Sequence, residues 1–175
     1  MIRKRHEWKL PGRTLILGGR TLIMGILNVT PDSFSDGGRH LDPDIAYARA
    51  LELQQQGADI IDIGGESTRP GSQRISAAEE LDRLAPVLKK LRRKLDIPVS
   101  VDTYKAEVAE RALDLGAEII NDVSGLTFDP ALAEVINRRD AGLVLMHLRG
   151  SPETWAQLKP LPDVVGSIGR DLKAS

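Results

Sequence analysis

The chain has 175 residues, of which 24 are Lys or Arg and 25 are Asp or Glu, so its formal net charge is -1. This balance supplies no positive field for a polyphosphate backbone, which argues against general nucleic-acid binding. The absence of Cys excludes disulfide scaffolds, thiol nucleophiles and Cys-ligated metals, and it is compatible with a reducing cytoplasm. Only three His are present, too scattered for a His-rich metal centre. A small molecule is the expected partner.

The N-terminus is basic and begins MIRKRHEWK. No apolar stretch or small-residue cleavage site follows, which argues against a secretory signal. The longest strongly apolar run, residues 22–27, is far shorter than the roughly 20 residues of a membrane-spanning helix. We therefore predict a solvated tail over residues 1–13 of a soluble, cytoplasmic protein with no membrane partner. A nucleic-acid-binding arm or a transit peptide is the alternative for the tail.

Short aliphatic runs alternate with amphipathic helical patterns, which predicts βαβ units and a parallel sheet. The apolar runs are continuous rather than alternating, as in strands that are covered on both faces. Five strands are predicted, at residues 21–29, 59–64, 98–102, 117–123 and 142–147. Residues 14–17 precede the first strand across Gly18 and Gly19, and they are predicted to form one arm of a hairpin.

Capping residues mark the predicted helix boundaries. Asp42, Asp129 and Ser151 each precede a proline and are predicted N-caps, because the fixed φ of proline suits the first helical position. Ser76 begins a capping box. The helix that follows contains Pro86, which lacks an N–H and is expected to kink or interrupt it.

A weak internal repeat relates two junctions between a helix and the next strand. Residues 57–62 (GADIID) and 116–121 (GAEIIN) share one pattern. In each copy the glycine is predicted to end the helix in a left-handed conformation. Asp62 and Asn121 therefore occupy equivalent positions after two buried isoleucines. No linker or boundary interrupts residues 14–175, which are predicted to form one domain.

Polar residues and glycines follow the predicted strands, at the carboxyl ends where ligands bind in α/β proteins. The loop at residues 28–38 exceeds the about 2–6 residues of a usual connector, so we predict a mobile lid, with a plain connector as the alternative. The loop at residues 64–72 offers paired glycines and polar donors to an anion or a polar ring. A tight turn without a ligand explains that loop equally well.

The third strand leads directly to Asp102. A carboxylate accepts two parallel N–H bonds, which suits the amino and ring N–H edge of a pteridine or guanine. The alternative role of Asp102 is the N-cap of a helix beginning near Thr103. Asn121 and Asp122 offer a donor and an acceptor, yet they could instead satisfy backbone groups. His147 is interpreted as a structural residue rather than an acid–base group. These residues predict a ligand site but no reaction.

Two long segments resemble the signatures of the dihydropteroate synthases, a family of pterin-binding TIM-barrel transferases. They are residues 24–38 (MGILNVTPDSFSDGG) and 57–71 (GADIIDIGGESTRPG). Shorter matches lie at residues 100–103, 119–125 and 146–150. The resemblance implies a TIM (β/α)8 barrel of the pterin-binding type. About five β/α units are present where a complete barrel has eight, so an incomplete barrel is expected.

The resemblance also implies an activity and its residues. The family joins 6-hydroxymethyl-7,8-dihydropterin diphosphate to p-aminobenzoate in folate biosynthesis, forming 7,8-dihydropteroate and diphosphate with the assistance of Mg²⁺. By resemblance, Asp102 and Asn121 hold the pterin edge while Met146 lines the ring pocket. Asn28 contacts the magnesium–diphosphate group, and Thr68 contacts the substrate phosphates. Members often form homodimers.

The family reaction is dissociative and leaves a cationic carbon, which implies two catalytic candidates. Asp36 matches a loop carboxylate that stabilises such charge, and Arg69 is the second candidate. Phe34, Arg69 and Pro70 match residues that shape the p-aminobenzoate pocket, which is also the pocket for sulfonamides. We expect these loops to order over bound substrates and exclude water.

The family pattern continues through an aspartate on the sixth strand, a lysine on the seventh and an Arg-x-His on the eighth. None of these is matched here. Two alternatives therefore stay open: a non-catalytic pterin-binding or complementation fragment, and the pterin-binding domain of a corrinoid methyltransferase. The loops at residues 30–36 and 67–71 favour the synthase over the methyltransferase.

Overall fold

The computed structural model describes residues 4–30, 42–67, 73–150 and 157–174. Strands β3 to β7 form one parallel sheet in that order, while β1 and β2 form a separate hairpin. Helices α1 to α4 connect consecutive strands of the sheet, as predicted. The elements in chain order are β1 (His6–Leu10), β2 (Arg13–Leu17), β3 (Met24–Asn28), α1 (Pro43–Gln55), β4 (Ile60–Gly64), α2 (Ala77–Leu91), β5 (Val99–Asp102), α3 (Ala106–Asp114), β6 (Ile119–Asp122), α4 (Ala131–Arg138), β7 (Gly142–Leu145) and α5 (Val164–Ala174).

Helices α1 to α4 all cover one face of the parallel sheet. Strand residues such as Leu27, Ile61, Val101 and Ile120 are buried in a single cluster with the apolar sides of these helices. A doubly wound sheet carries helices on both faces, whereas a barrel wall carries them only outside. The sheet is therefore part of a barrel wall, and its other face is the inner face. None of the helices in the described ranges is both long and apolar enough to cross a membrane.

The N-terminal segment differs from the prediction of a solvated tail over residues 1–13. Within it, β1 pairs antiparallel with β2, so that Leu10 lies opposite Arg13. The hairpin turn therefore falls at Pro11 and Gly12, and the prediction of a turn at Gly18 and Gly19 is wrong. The physical reason is burial, because alternate residues of β1 are apolar enough to pack against the sheet.

The hairpin covers the amino end of the inner face. Leu10 is only 7% exposed and packs with Ile60 and Ile119, joined by Trp8. At the start of β7, a Cβ on Gly142 would lie 2.4 Å from the Leu10 Cδ2 atom and 2.9 Å from the Trp8 ring. Glycine at this position therefore lets β1 pack directly against β7.

Most predicted helix boundaries are confirmed. Asp42 caps α1, and the hydroxyl of Ser76 caps α2. Gly57 and Gly116 have φ angles of 100° and 106°, in agreement with their predicted positive φ. The predicted cap at Ser151 lies outside the described residues.

Asp129 and Pro86 add detail to the helix predictions. The cap of α4 falls at Pro130, one residue after the predicted Asp129. The Asp129 carboxylate nevertheless accepts the backbone N–H of Ala131 in α4 at 3.1 Å and that of Ala106 in α3 at 2.8 Å. One side chain thus stabilises two helix starts. Helix α2 continues through the exposed Pro86, so the predicted interruption is wrong.

Candidate functional site

A row of polar residues crosses the carboxyl end of the inner face. Asn28 on β3 lies opposite Gly64 on β4, which lies opposite Asp102 on β5, which in turn lies opposite Asn121 on β6. Residues in register on neighbouring strands point to the same side of a sheet. The structure therefore brings together three predicted site residues: one carboxylate and two amides.

Met146 is the fourth predicted residue at this edge. It follows β7 by one residue, and its N–H continues the strand ladder by donating to the Asp122 carbonyl at 3.0 Å. Val144, two residues earlier, lies opposite Asn121, so Met146 shares the inner face. Its side chain is 40% exposed. Met146 therefore lies at the same edge as the polar row, and its role in lining a ring pocket stays a prediction.

Asp62 lies one layer deeper on the inner face, two residues before the end of β4. The Asn121 Nδ2 atom donates to the Asp62 Oδ2 atom at 3.0 Å. Asp62 is 5% exposed, and its Oδ1 atom has no hydrogen-bond partner among the described residues. The Ser100 Oγ atom, opposite on β5, is close but not in hydrogen-bond geometry. Burial raises the pKa of Asp62, while Ser100 and Asn121 oppose the rise.

Asp102 is surrounded by negative charge. Burial raises its pKa, and repulsion from Asp62, Glu80, Asp122 and Glu66 raises it further, to about 7. Within the described ranges, its carboxylate forms no ion pair. A ligand that brings N–H donors or positive charge would relieve this repulsion. The site is therefore complementary to a group that is rich in N–H donors or carries positive charge.

The structure decides between the alternative roles of two aspartates. Helix α3 begins at Ala106 without a side-chain cap from Asp102, so the N-cap role of Asp102 is excluded. Asp122 instead accepts the backbone N–H groups of Ser124 at 2.7 Å and of Leu126 at 2.6 Å. Asp122 therefore stabilises the turn after β6, whereas Asp102 remains available to a ligand.

His147 has a partner in the structure. Its Nε2 atom lies 2.8 Å from the Oδ2 atom of Asp171 in α5. This contact agrees with the interpretation of His147 as a hydrogen-bonded structural residue.

A buried ionic cluster, absent from the sequence prediction, lies beside the polar row. The Lys105 Nζ atom is 2.6 Å from the Glu66 Oε2 atom and 2.5 Å from the Glu80 Oε2 atom. The Tyr104 hydroxyl donates to the Glu66 Oε1 atom at 2.9 Å, and the Ile75 backbone N–H donates to the Oε2 atom at 3.2 Å. Glu66 therefore connects β4 both to the start of α3 and to the segment before α2.

Opposing effects act on the pKa values in this ionic cluster. Burial raises the pKa of Glu80, and Lys105 opposes the rise. Burial alone would lower the pKa of Lys105, but the carboxylates of Glu66 and Glu80 outweigh it and hold that pKa above its usual value. The only signal in the sequence was a lysine three residues beyond Asp102, which does not reveal its distant partners.

Several predicted site residues lie outside the described residues. They are Phe34, Asp36, Thr68, Arg69 and Pro70. Their predicted roles, and the predicted lid, therefore stay predictions.

The described residues include no group of three or more acidic or His side chains that could hold a metal ion. Asn28 is an exposed neutral amide at one end of the polar row. A Cβ on Gly64 would lie 3.1 Å from its Oδ1 atom, so glycine leaves this oxygen room. One amide oxygen is a weak magnesium ligand, and phosphate oxygens would have to provide most of the coordination.

The wall of an incomplete (β/α) barrel, with hydrogen-bond acceptors at the carboxyl ends of its strands, places the chain among the (β/α)-barrel proteins. A family model described as pterin binding enzyme matches residues 24–175. The chain belongs to this family. The predicted fold class, an incomplete pterin-binding barrel, is confirmed.

The chain is similar to curated proteins and solved structures of dihydropteroate synthase. It is 49% identical over 158 residues to the Synechocystis dihydropteroate synthase, covering 90% of this chain and 55% of that protein. The Xanthomonas albilineans dihydropteroate synthase with 4-aminobenzoic acid is 42% identical, with a TM-score of 0.85 over 98% of this chain and 60% of that one. The Yersinia pestis dihydropteroate synthase with a sulfonamide drug is 41% identical, also with a TM-score of 0.85, over 97% and 60%. The chain thus spans about half the length of the curated relatives it matches.

Proposed function

We propose that this chain provides the pterin-binding strands of a dihydropteroate synthase. The observation that carries the proposal is the placement of Asp102 opposite Asn121 at the carboxyl end of the inner face. The synthase relatives support it, because the chain matches them over the strands that bear these residues.

Recognition of the pterin follows from hydrogen-bond complementarity. A pterin presents an amino group beside a ring N–H, and a carboxylate such as Asp102 accepts both in parallel. Asn121 adds a second polar contact, and Met146 offers an apolar, polarisable surface to the ring. Because the pKa of Asp102 is about 7, pterin binding would favour the ionised form and would strengthen as the pH rises through neutrality.

The proposed reaction breaks the bond between the pterin methylene carbon and the diphosphate oxygen, and the electron pair leaves with diphosphate. The amine nitrogen of p-aminobenzoate then forms the new bond to carbon and loses a proton. Positive charge on the methylene carbon spreads into the pterin ring during this exchange. The negative field of Asp62 and Asp102 stabilises that charge.

Magnesium is proposed to enter with the diphosphate. Asn28 would provide one oxygen ligand from the chain, next to Gly64. Bound Mg²⁺ would neutralise charge on the departing diphosphate. Thr68 is proposed to contact the phosphates.

The p-aminobenzoate side of the site is proposed from the family resemblance. Phe34, Arg69 and Pro70 would shape this pocket, and Asp36 would stabilise the cationic carbon. The sulfonamide and 4-aminobenzoic acid complexes of the relatives support this assignment. Sulfonamide binding to this chain and a homodimeric assembly are parts of the same proposal.

The test is calorimetry with pteroic acid, which carries the pterin ring. We expect Asp102→Ala to abolish binding, because it removes the two-point acceptor. Asp82→Ala is the matched control, since it removes an exposed carboxylate from α2, away from the site. Unchanged affinity in Asp102→Ala, or a wild-type chain that binds no pteroic acid, contradicts the proposal.

A further inference from the structure

The contact between Asp62 and Asn121 has a consequence for the hydrogen-bond polarity of the pocket. An ionised carboxylate can only accept hydrogen bonds, so the side-chain NH₂ of Asn121 must face Asp62. The Nδ2–Oδ2 distance of 3.0 Å is that of an ordinary hydrogen bond. An amide whose nitrogen points to the deeper layer directs its oxygen away from that layer.

The Asn121 oxygen is free to meet a ligand. Among the described residues, the side chain of Asn121 makes its hydrogen bond to Asp62 and to no other group. Its neighbour in register is Asp102, which also accepts. Asp62 lies one layer deeper on the inner face, so Asp102 and Asn121 both present oxygen atoms at the carboxyl end of that face. This pair of acceptors matches ligands that carry N–H donors along one edge.

Asp62 is costly to the fold on its own. It is 5% exposed, its Oδ1 atom lacks a partner within the described ranges, and no Lys or Arg in those ranges contacts it. Burial raises its pKa, as expected for a carboxylate without a balancing cation. A buried, incompletely satisfied carboxylate calls for an explanation other than stability.

We propose that Asp62 is a positioning residue for Asn121: it holds the amide so that the oxygen faces the ligand, and it thereby selects heterocycles with adjacent N–H donors. This inference deepens the proposed function and rests on it for the identity of the ligand. Asp62 acts through Asn121.

The test exchanges the carboxylate and the amide. The three variants are Asp62→Asn, Asn121→Asp and the double swap, with pteroic acid as the calorimetric probe. Asn121→Asp sets two carboxylates against each other, and we expect affinity to fall by on the order of tenfold or more. Asp62→Asn leaves two amides, each able to donate or accept, so the Asn121 oxygen is no longer held toward the ligand and a smaller loss is expected. The swap restores one donor facing one carboxylate and again presents an oxygen to the pocket, so it is expected to recover affinity to within a few fold of wild type.

A second measurement does not depend on a ligand. In the wild-type chain, one Nδ2 proton of Asn121 is expected to be shifted downfield in the NMR spectrum and to exchange slowly, and Asp62→Leu is expected to remove both signatures. Thermal melting confirms that each variant is folded. A purely structural role for Asp62 would change the melting temperature without giving rescue by the swap.

The outcomes separate the two proposals. If wild type binds pteroic acid but the swap is no better than the summed single effects, the positioning role is wrong. An Asn121 signal that is unchanged in Asp62→Leu also overturns it. If wild type binds no pteroic acid, the proposed function fails, and the NMR signature alone decides the role of Asp62.

Discussion

Two acidic clusters lie at the strand ends, and they differ in how their charge is balanced. In the first, Glu66 and Glu80 share Lys105, whose side chain is 15% exposed. In the second, Asp62 and Asp102 face the interior with no cation in contact among the described residues. Buried acidity thus serves structure where the chain provides the cation, and under the proposed function it serves binding where a ligand would provide the donors.

The position of each cluster explains the difference. Lys105 precedes α3, and it reaches Glu80 in α2 and Glu66 after β4. This cluster ties a helix and two strand ends together. Among the described residues, the inner face there offers the amide of Asn121 and the hydroxyl of Ser100 as neutral donors, and no Lys or Arg contacts Asp62 or Asp102. Negative charge there has no cation from the described residues, and under the proposed function a ligand would compensate it.

The largest expected effect on stability comes from breaking the cluster of Glu66, Glu80 and Lys105, called here the balanced cluster. Lys105→Met leaves two buried carboxylates without a cation, which is expected to lower the free energy of unfolding by about 3–5 kcal/mol. Urea denaturation measures the change. Lys105→Arg is the matched control, because it keeps the charge and is expected to lose much less. A loss below about 1 kcal/mol in Lys105→Met would show that the cluster is not structural.

The next largest effect is expected in the cluster of Asp62 and Asp102, called here the unbalanced cluster. There, removing a charge is expected to raise stability at high pH rather than lower it. The folded-state pKa of Asp102, about 7, lies above its unfolded value. The folded chain therefore binds the extra proton, and stability falls as the pH rises from about 4 to about 7. Asp102→Asn lacks this titration.

The measurement for Asp102 is unfolding at two pH values. Relative to wild type, the stability of Asp102→Asn is expected to improve by about 2 kcal/mol between pH 5 and pH 8. Parallel pH profiles for the two proteins would show that Asp102 is not held in an electronegative pocket.

The smallest effect on stability is expected when one carboxylate of the balanced cluster is neutralised and the lysine is kept. Glu80→Gln removes the more buried carboxylate, which is 1% exposed, but leaves Lys105 paired with Glu66. Since burial already raises the pKa of Glu80, its charge is costly, and removing it is expected to reduce stability by less than about 1 kcal/mol. Thermal melting beside Lys105→Met tests this ranking. An equal loss in both variants would mean that Lys105 depends chiefly on Glu80.

The strands of the barrel wall could be predicted because their signal is local. Continuous apolar runs identify strands that are covered on both faces, and glycines and caps mark the helix ends. Asp102 and Asn121 could be placed together because parallel strands bring their carboxyl ends to one edge. Structure was needed to show that Asp122 bonds to its own turn while Asp102 does not.

The remaining features depend on contacts between distant positions. The sequence around Lys105 does not predict its contacts with Glu66 and Glu80. The sequence around Asp62 likewise does not predict its hydrogen bond with Asn121. The burial of β1 likewise depends on a far surface, so its basic composition suggested a tail. Such pairings follow from how the strands and helices are arranged in space, which the periodicity of the sequence does not encode.

The packing of β1 against Gly142 has a consequence for biosynthesis. The side chains of Trp8 and Leu10 are synthesised more than a hundred residues before Gly142, so their site at β7 is completed long after they are made. Contacts between such distant positions form slowly, since a long loop must close first. The apolar side of the hairpin therefore lacks its partner surface while the strands and helices between it and β7 are synthesised. A chaperone that binds nascent chains would be expected to find its target in this segment.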